Sequence, residues 1–212
     1  MKKMLKTSFL LGVVFMIICG IIYPLLMTGI GQIFFNNKAN GSLVAFNGKT
    51  VGSELIGQSF TDPRFFVGRP SAVNYNTYTA SDIKPDKNGK VNYSGVTSGG
   101  SNLAPSNLQL VDRVKNDLES FLKTHPNVKE KDIPADLLTE SASGVDPDIS
   151  PAAAKIQIDA VSKASGIDKS ELQSYINKYT TGKAFGIFGE PTVNVLMVNL
   201  QIASKLKSEG KL

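Results

Sequence analysis

A chain of 212 residues, 42% hydrophobic and 19% charged, has material for one ordinary domain and a small appendage, not for two full domains. Its single cysteine, Cys19, excludes an intramolecular disulfide, and one histidine with no cysteine outside the apolar run excludes an N/S zinc site, so no metal residues are assigned. The net charge is +5, but Lys2, Lys3 and Lys6 supply three of those charges; the remainder is near neutral and lacks the basic stripe that nucleic acid requires.

No charged residue occurs between Lys6 and Lys38. The run FLLGVVFMIICGIIYPLLMTGIGQIFF exceeds the ~20 apolar residues that cross a bilayer core as a helix. It is also too long for the ~7 to 15-residue core of a cleaved secretory signal. Ile17 and Ile18 stand where a lipoprotein signal ending at Cys19 needs small residues. The pattern predicts a tail at 1–7, a transmembrane helix at 8–35 and a domain at 36–212. Lysines on the N-terminal flank put the tail in the cytoplasm and about 175 residues outside it. Ser8 and Gly12 form a small-xxx-small pair, with Gly20 about two turns on, as an interface to another span requires.

After a polar linker, LVAFNGKTVGSELIG predicts two short strands around Asn47–Gly48, a pair suited to the positive φ angles of a type I′ turn. From Phe60 to Asn92, prolines at 63, 70 and 85 among Asn, Tyr, Thr, Asp and Gly predict an extended loop that packs against something or serves recognition. SGGSNLAPSN, residues 98–107, then places two glycines ahead of a helix. That suits either a backbone anion cradle or a flexible turn. Leu108, Val111, Val114, Leu118 and Phe121 predict an amphipathic helix over 106–123. IPADLLTESASGVDPDISPAAA reads as a short apolar strand, a polar turn and a helix capped by Ser150, with Pro151 in its first turn and Gly166 at its end. Asp168 and Glu171 have capping-box spacing for a helix reaching about Tyr179, and a last helix begins near Asn194 after a Gly/Pro turn. The expected fold class is α+β: one N-terminal transmembrane helix followed by a single mixed α/β extracytoplasmic domain.

Chemistry-bearing patterns are sparse. His125, before Pro126, faces the C-terminal dipole of a helix. G-x-S-x-G is absent, and SDIK at Ser81–Lys84 fits S-x-x-K without its companion motifs. DIKPDKNGK resembles a calcium loop but puts Lys84 where oxygen is needed and has no closing glutamate. Asp146 and Asp148 either hold a cation or support the following helix N-terminus; the second reading is preferred. Gly100 is followed by Ser101 rather than lysine, so the 98–107 loop is not a Walker A sequence.

Several segments together resemble the C subunit of the Kdp potassium-transporting P-type ATPase, a bacterial membrane complex. They are GSELIGQSF at 52–60, FFVGRPSA at 65–72, SGGSNLAPSN, SASGVDPDISPAAAKIQ at 141–157 and GIFGEPTVNVLMVNL at 186–200. Order and spacing agree over nearly the whole chain, the N-terminal span included. The motif and interface positions are Gly57 and Gln58; Gly68, Arg69, Pro70 and Ser71; Ser98, Gly99, Gly100, Ser101 and Asn102; Asp146, Pro147, Ser150 and Pro151; and Gly189, Glu190, Pro191 and Asn194. Leu108 departs from the family's proline, Asp148 from its His or Asn, and NYNTYTA runs differently.

The resemblance implies partners: a channel-like potassium-selecting subunit, a subunit that hydrolyses ATP through a phospho-aspartate, and a small single-span subunit. This chain would be their non-catalytic accessory subunit in the bacterial cell membrane, with no catalytic residue and no firmly bound cofactor, ATP and potassium being handled by the complex. The family is also described as a catalytic chaperone that raises ATP affinity, with an SGG loop and a helix glutamine touching nucleotide; here these are Ser98, Gly99, Gly100 and Gln157. The lysine-based topology puts those residues across the bilayer from ATP, so conformational coupling is the expected route. Two rival readings are an independent membrane-anchored module that binds an extracellular solute through the 60–92 loop, and an anchored hydrolase using Ser81.

Overall fold

The computed structural model describes residues 1–78, 82–85, 87, 89, 91 and 95–212. Ser81 of the S-x-x-K match and Asp86, Asn88 and Lys90 of the calcium-like stretch lie outside the described residues. The chain divides into two units, Met1–Ser53 and Glu54–Leu212.

In the first unit, one apolar helix of 33 residues, Lys2–Phe34, has a mean hydropathy of 2.7 in its most apolar window. It comprises α1 (Lys2–Ile17) and α2 (Tyr23–Phe34), joined by a π turn at Ile18–Ile22. Pro24 accounts for that turn. A proline has no N–H to give and its ring crowds the carbonyl four residues back. Widening the preceding turn by one residue relieves the clash, and the Tyr23 N–H donates to Ile18 O. At ~1.5 Å per residue the helix is about 50 Å long, against a bilayer core of ~30 Å. It begins six residues before the expected span because nothing in Lys2–Thr7 breaks a helix. A single turn, α3 (Asn36–Ala39), comes next. Strands β1 (Leu43–Phe46) and β2 (Lys49–Ser53) pair antiparallel, with a bulge between Val44 and Ala45. Asn47 and Gly48 both have positive φ, 54° and 75°, as the predicted turn demands.

Among its described residues the second unit is built on four α-helices and a small sheet. Helix α4 (Leu108–Thr124) starts where Asn107 accepts the Gln109 N–H. Its apolar stripe is only half used: Phe121 is buried, whereas Leu108 is 76% and Val111 50% exposed. The expected strand at IPADLL is instead a pair of 3-10 turns, Glu130–Asp132 and Ala135–Leu137. Pro134, which cannot donate to a ladder, and the drawn-in side chain of Leu137 favour a turn there. Strand β3 (Asp148–Ile149) leads into α5 (Pro151–Ser165), which stops at Gly166 with φ 77°. Helix α6 (Lys169–Lys178) realises half of its predicted capping box: Asp168 accepts the Ser170 N–H, but Glu171 turns away to Tyr175 and Lys205.

Strands β4 (Thr180–Thr181) and β5 (Thr192–Asn194) complete an antiparallel sheet of order β3-β5-β4. At three residues, β5 is too short to show a period in sequence. Its last residue, Asn194, caps α7 (Val195–Ser208) by accepting the Met197 N–H. Val195, Val198, Ile202 and Leu206 repeat at three- and four-residue steps down α7 and meet Ile158 and Val161 of α5 and Leu172 and Ile176 of α6 in one core. Each such side chain withdrawn from water contributes about 1.5 to 3 kcal/mol. Phe66, 1% exposed, joins this core from an irregular segment with no strand of its own.

Candidate functional site

An irregular segment inside a fold must still pair its backbone groups. Phe66 and Val67 do so on two buried carboxamides. Asn199 of α7 accepts the Phe66 N–H at 2.9 Å and donates to Phe66 O at 2.9 Å. Gln157 of α5 accepts the Val67 N–H at 2.8 Å and donates to Val67 O at 3.2 Å and Ala153 O at 3.0 Å. Each amide thus imitates a strand partner. Gln157 is 1% exposed, and its oxygen and nitrogen are both engaged with main chain. A third amide, Asn76, grips Thr97 in the same two-way fashion, at 2.8 and 3.0 Å.

The clamp delivers the chain to Gly68, Arg69, Pro70 and Ser71, where four motif segments meet. Gly57 donates to Val145 O at 2.8 Å, and a Cβ there would lie 2.3 Å from Asp146 O and 2.6 Å from the Tyr75 ring. At Gly68 a Cβ would lie 2.7 Å from the Tyr75 hydroxyl, which donates to Arg69 O at 2.6 Å. Burial pushes the Tyr75 phenol up to about 12, so it stays a donor. The Arg69 guanidinium bonds Glu140 O at 3.2 Å and pairs with Asp146 at 3.5 Å. Ser71 donates to Gly144 O at 2.5 Å and accepts the N–H groups of Val73 and Tyr75. Gln58, half-buried, comes directly after Gly57.

Ser98 and Gly99 pair with the 141–144 segment rather than with a helix N-terminus. Gly99 bridges Ser143, and Ser98 O accepts the Gly144 N–H at 2.8 Å. Helix α4 begins only at Leu108, so the glycines do not feed it directly. Ser101 donates to the Glu140 carboxylate, and Asn102, at φ 52°, donates to Gly100 O at 3.2 Å. These residues line a cleft of about 240 Å³ with Arg113, Glu140 and Ser141. Its one cationic lining residue, Arg113, is matched by two carboxylates, Asp117 at 2.7 Å and Glu140 at 3.5 Å. Among the described lining residues no cation other than Arg113 faces the cleft, and its Nε and Nη2 are buried without a hydrogen bond.

The remaining motif residues are spread out. Asp146 accepts the Asp148 N–H at 3.0 Å, and Pro147 O accepts the Val195 N–H at 3.0 Å. Ser150 caps α5 through the Ala153 N–H at 3.0 Å, while Asp136 takes the Ser150 N–H at 2.7 Å. Asn194 caps α7 and donates to Glu54 O at 2.8 Å. Gly189, Glu190 and Pro191 end an exposed loop, with Glu190 paired to Lys183 at 3.1 Å. Ser8 and Gly12 lie one turn apart on α1, and Gly20 lies in the π turn; all three are in the other unit. His125 ends α4 as expected, its Nδ1 3.1 Å from Phe121 O, but it stacks on Phe121 and burial lowers its pKa. A neutral ring offers the helix dipole little charge. Sequence reasoning missed Asn199, Asp136 and Tyr75. Asn199 carries a readable signal, a carboxamide set between Val198 and Ile202 on an apolar stripe.

Among known families, the model described as "KdpC: K+-transporting ATPase, c chain" matches residues 5–204. A potassium-transporting ATPase KdpC subunit of Clostridioides difficile (strain 630) is 56% identical over 204 residues, 96% of this chain and 98% of its own length. One from Clostridium kluyveri is 55% identical over 204 residues, covering 96% and 95%. One from Caldanaerobacter subterraneus subsp. tengcongensis is 41% identical over 211 residues, all of both chains.

Two glycines of one loop should behave oppositely. A Cβ at Gly100 would lie 2.8 Å from Ser141 O, whereas one at Gly99 meets nothing within 4 Å. Gly100→Ala should cost about 1 to 3 kcal/mol in urea unfolding and Gly99→Ala no more than about 0.5. Burial, then the neighbouring Asp146 carboxylate, raise the pKa of Asp148, and hydrogen bonds from Thr192 and Asn194 offset this only in part. A raised folded pKa means that the folded state holds the proton more tightly. Its stabilisation is full below the ordinary carboxylate range and is lost as pH rises through the folded value. Asp148→Asn should therefore gain stability over the parent chain between about pH 3 and about pH 7, read from paired thermal melts.

Proposed function

Since the chain belongs to the family of K+-transporting ATPase c chains, we propose that it is the non-catalytic accessory subunit of an ATP-driven potassium uptake pump, anchored in the bacterial cell membrane by its apolar helix. It joins a potassium-selecting subunit, an ATP-hydrolysing subunit and a small single-span subunit, and it supports their assembly. The helix starts among Lys2, Lys3 and Lys6, which favours a cytoplasmic N-terminus and a second unit outside the cell.

Any rise in ATP affinity that this subunit confers comes through coupling. A subunit that prefers one pump conformation must shift nucleotide affinity by its differential binding energy, with no contact to the nucleotide. The observation that carries this is the Gln157 amide, buried and fully engaged with the backbone of Val67 and Ala153. The balanced charge around Arg113 in the cleft beside Ser98–Asn102 supports it further.

Orientation is testable with a cysteine at Ser98 in a Cys19→Ser background. A membrane-impermeant maleimide should label it on intact cells; labelling only after lysis would put the domain inside and reopen direct contact. In purified pump, loss of this chain should weaken the apparent ATP affinity or disperse the complex, and an intact pump with unaltered ATP dependence would refute the accessory role.

A further inference from the structure

The connection between β4 and β5, residues 183–190, presents its apolar side chains outward. Phe185 is 94%, Ile187 74% and Phe188 67% exposed. Three large apolar groups within four residues are costly to leave in water, and such exposure marks a contact surface. The loop is also held in one shape. Ala184 and Phe188 exchange both backbone bonds, at 2.8 and 3.0 Å, and Gly186 donates to Lys183 O at 3.0 Å. The paired strands β4 and β5 carry its base. Phe185 sits at φ 54°, a strained setting for a bulky residue, and its ring stands out from the turn.

We propose that this loop is a docking tip that seats Phe185, Ile187 and Phe188 in an apolar pocket on a partner subunit of the same pump. The inference rests on the accessory-subunit reading of the chain. Rigidity selects the occupant: a shaped protein pocket rewards a preformed anchor by sparing the entropy of ordering it, whereas a fluid bilayer surface needs no fixed geometry. Composition agrees. The tip has neither Trp nor Tyr, the usual residues of the membrane interface, and its flanking Lys183 and Glu190 neutralise one another, leaving nothing to attract anionic headgroups. Aromatic and aliphatic anchors inserted in a partner's pocket are the groups that dominate binding energy at protein interfaces.

The test is made on the full complex in membranes. A photoreactive benzoylphenylalanine at Phe185 should, on irradiation, join this chain to one other pump subunit in a single adduct of summed mass. Phe185→Ser with Phe188→Ser should lower recovery of the other subunits on the tagged chain about tenfold or more, with the thermal melt unchanged because both side chains are exposed. Adducts with lipid or with a second copy of this chain, or full recovery by the double variant, would overturn the proposal. Should the unaltered chain itself recover no pump subunits, the accessory reading falls with it; should it recover them while the tip forms no subunit adduct, only the docking tip falls.

Discussion

Phe66 is buried and Val67 half-buried, and among the described residues no strand lies beside them to pair with. Unpaired buried N–H and C=O groups cost ~1 to 3 kcal/mol each, a large fraction of a domain's net stability. The chain meets that constraint with side chains: Asn199 closes on Phe66 and Gln157 on Val67, each accepting from the N–H and donating to the carbonyl. Because the two amides come from α7 and α5, the clamp ties both helices to one loop segment. It sets where Phe66 enters the core and where Gly68 and Arg69 emerge beside Asp146.

That placement leaves a framework with little polar capacity to spare. Gly57, Gly68 and Gly100 mark close approaches of main chain to a neighbouring segment, Ser71 and Arg69 bind carbonyls, and Ser150 and Asn194 cap helices. These structural roles account for the glycine, serine and amide residues of the motif segments. Outward-facing apolar side chains lie elsewhere, among them Phe185 in its loop, Leu108 in the first turn of α4, and Leu55 and Val96. A subunit that works by fitting against others would be built this way, with polar motif residues fastening its segments around an apolar core and a few apolar side chains left outward.

Much of this was legible in the sequence where the signal is local. Asn47–Gly48, Ser150–Pro151, Gly166 and Asn194 all act as their chemistry demands, since a turn or cap is decided within a few residues. Legibility fails where distant segments decide. Two residues of β3 and three of β5 are strands only because each finds the other across the fold, and no periodicity announces them. IPADLL is apolar enough for a strand, yet Pro134 and the reach of Asp136 to Ser150 make it a turn. At the candidate site, the motif residues were identifiable but their roles were not, because Gly99 and Ser98 answer to a segment some forty residues on rather than to the helix that comes after them.

The claim at the centre is that the Gln157 amide holds the backbone of Val67 and not a nucleotide. Urea unfolding of the full-length chain in detergent, parent against Gln157→Leu, with and without saturating ATP, tests it most directly. The clamp predicts a loss of about 2 to 4 kcal/mol from two backbone groups left unpaired, the same with or without ATP, and no stabilisation of the parent by ATP. A Gln157→Leu chain as stable as the parent, together with a parent that ATP stabilises and a variant that it does not, would contradict the account.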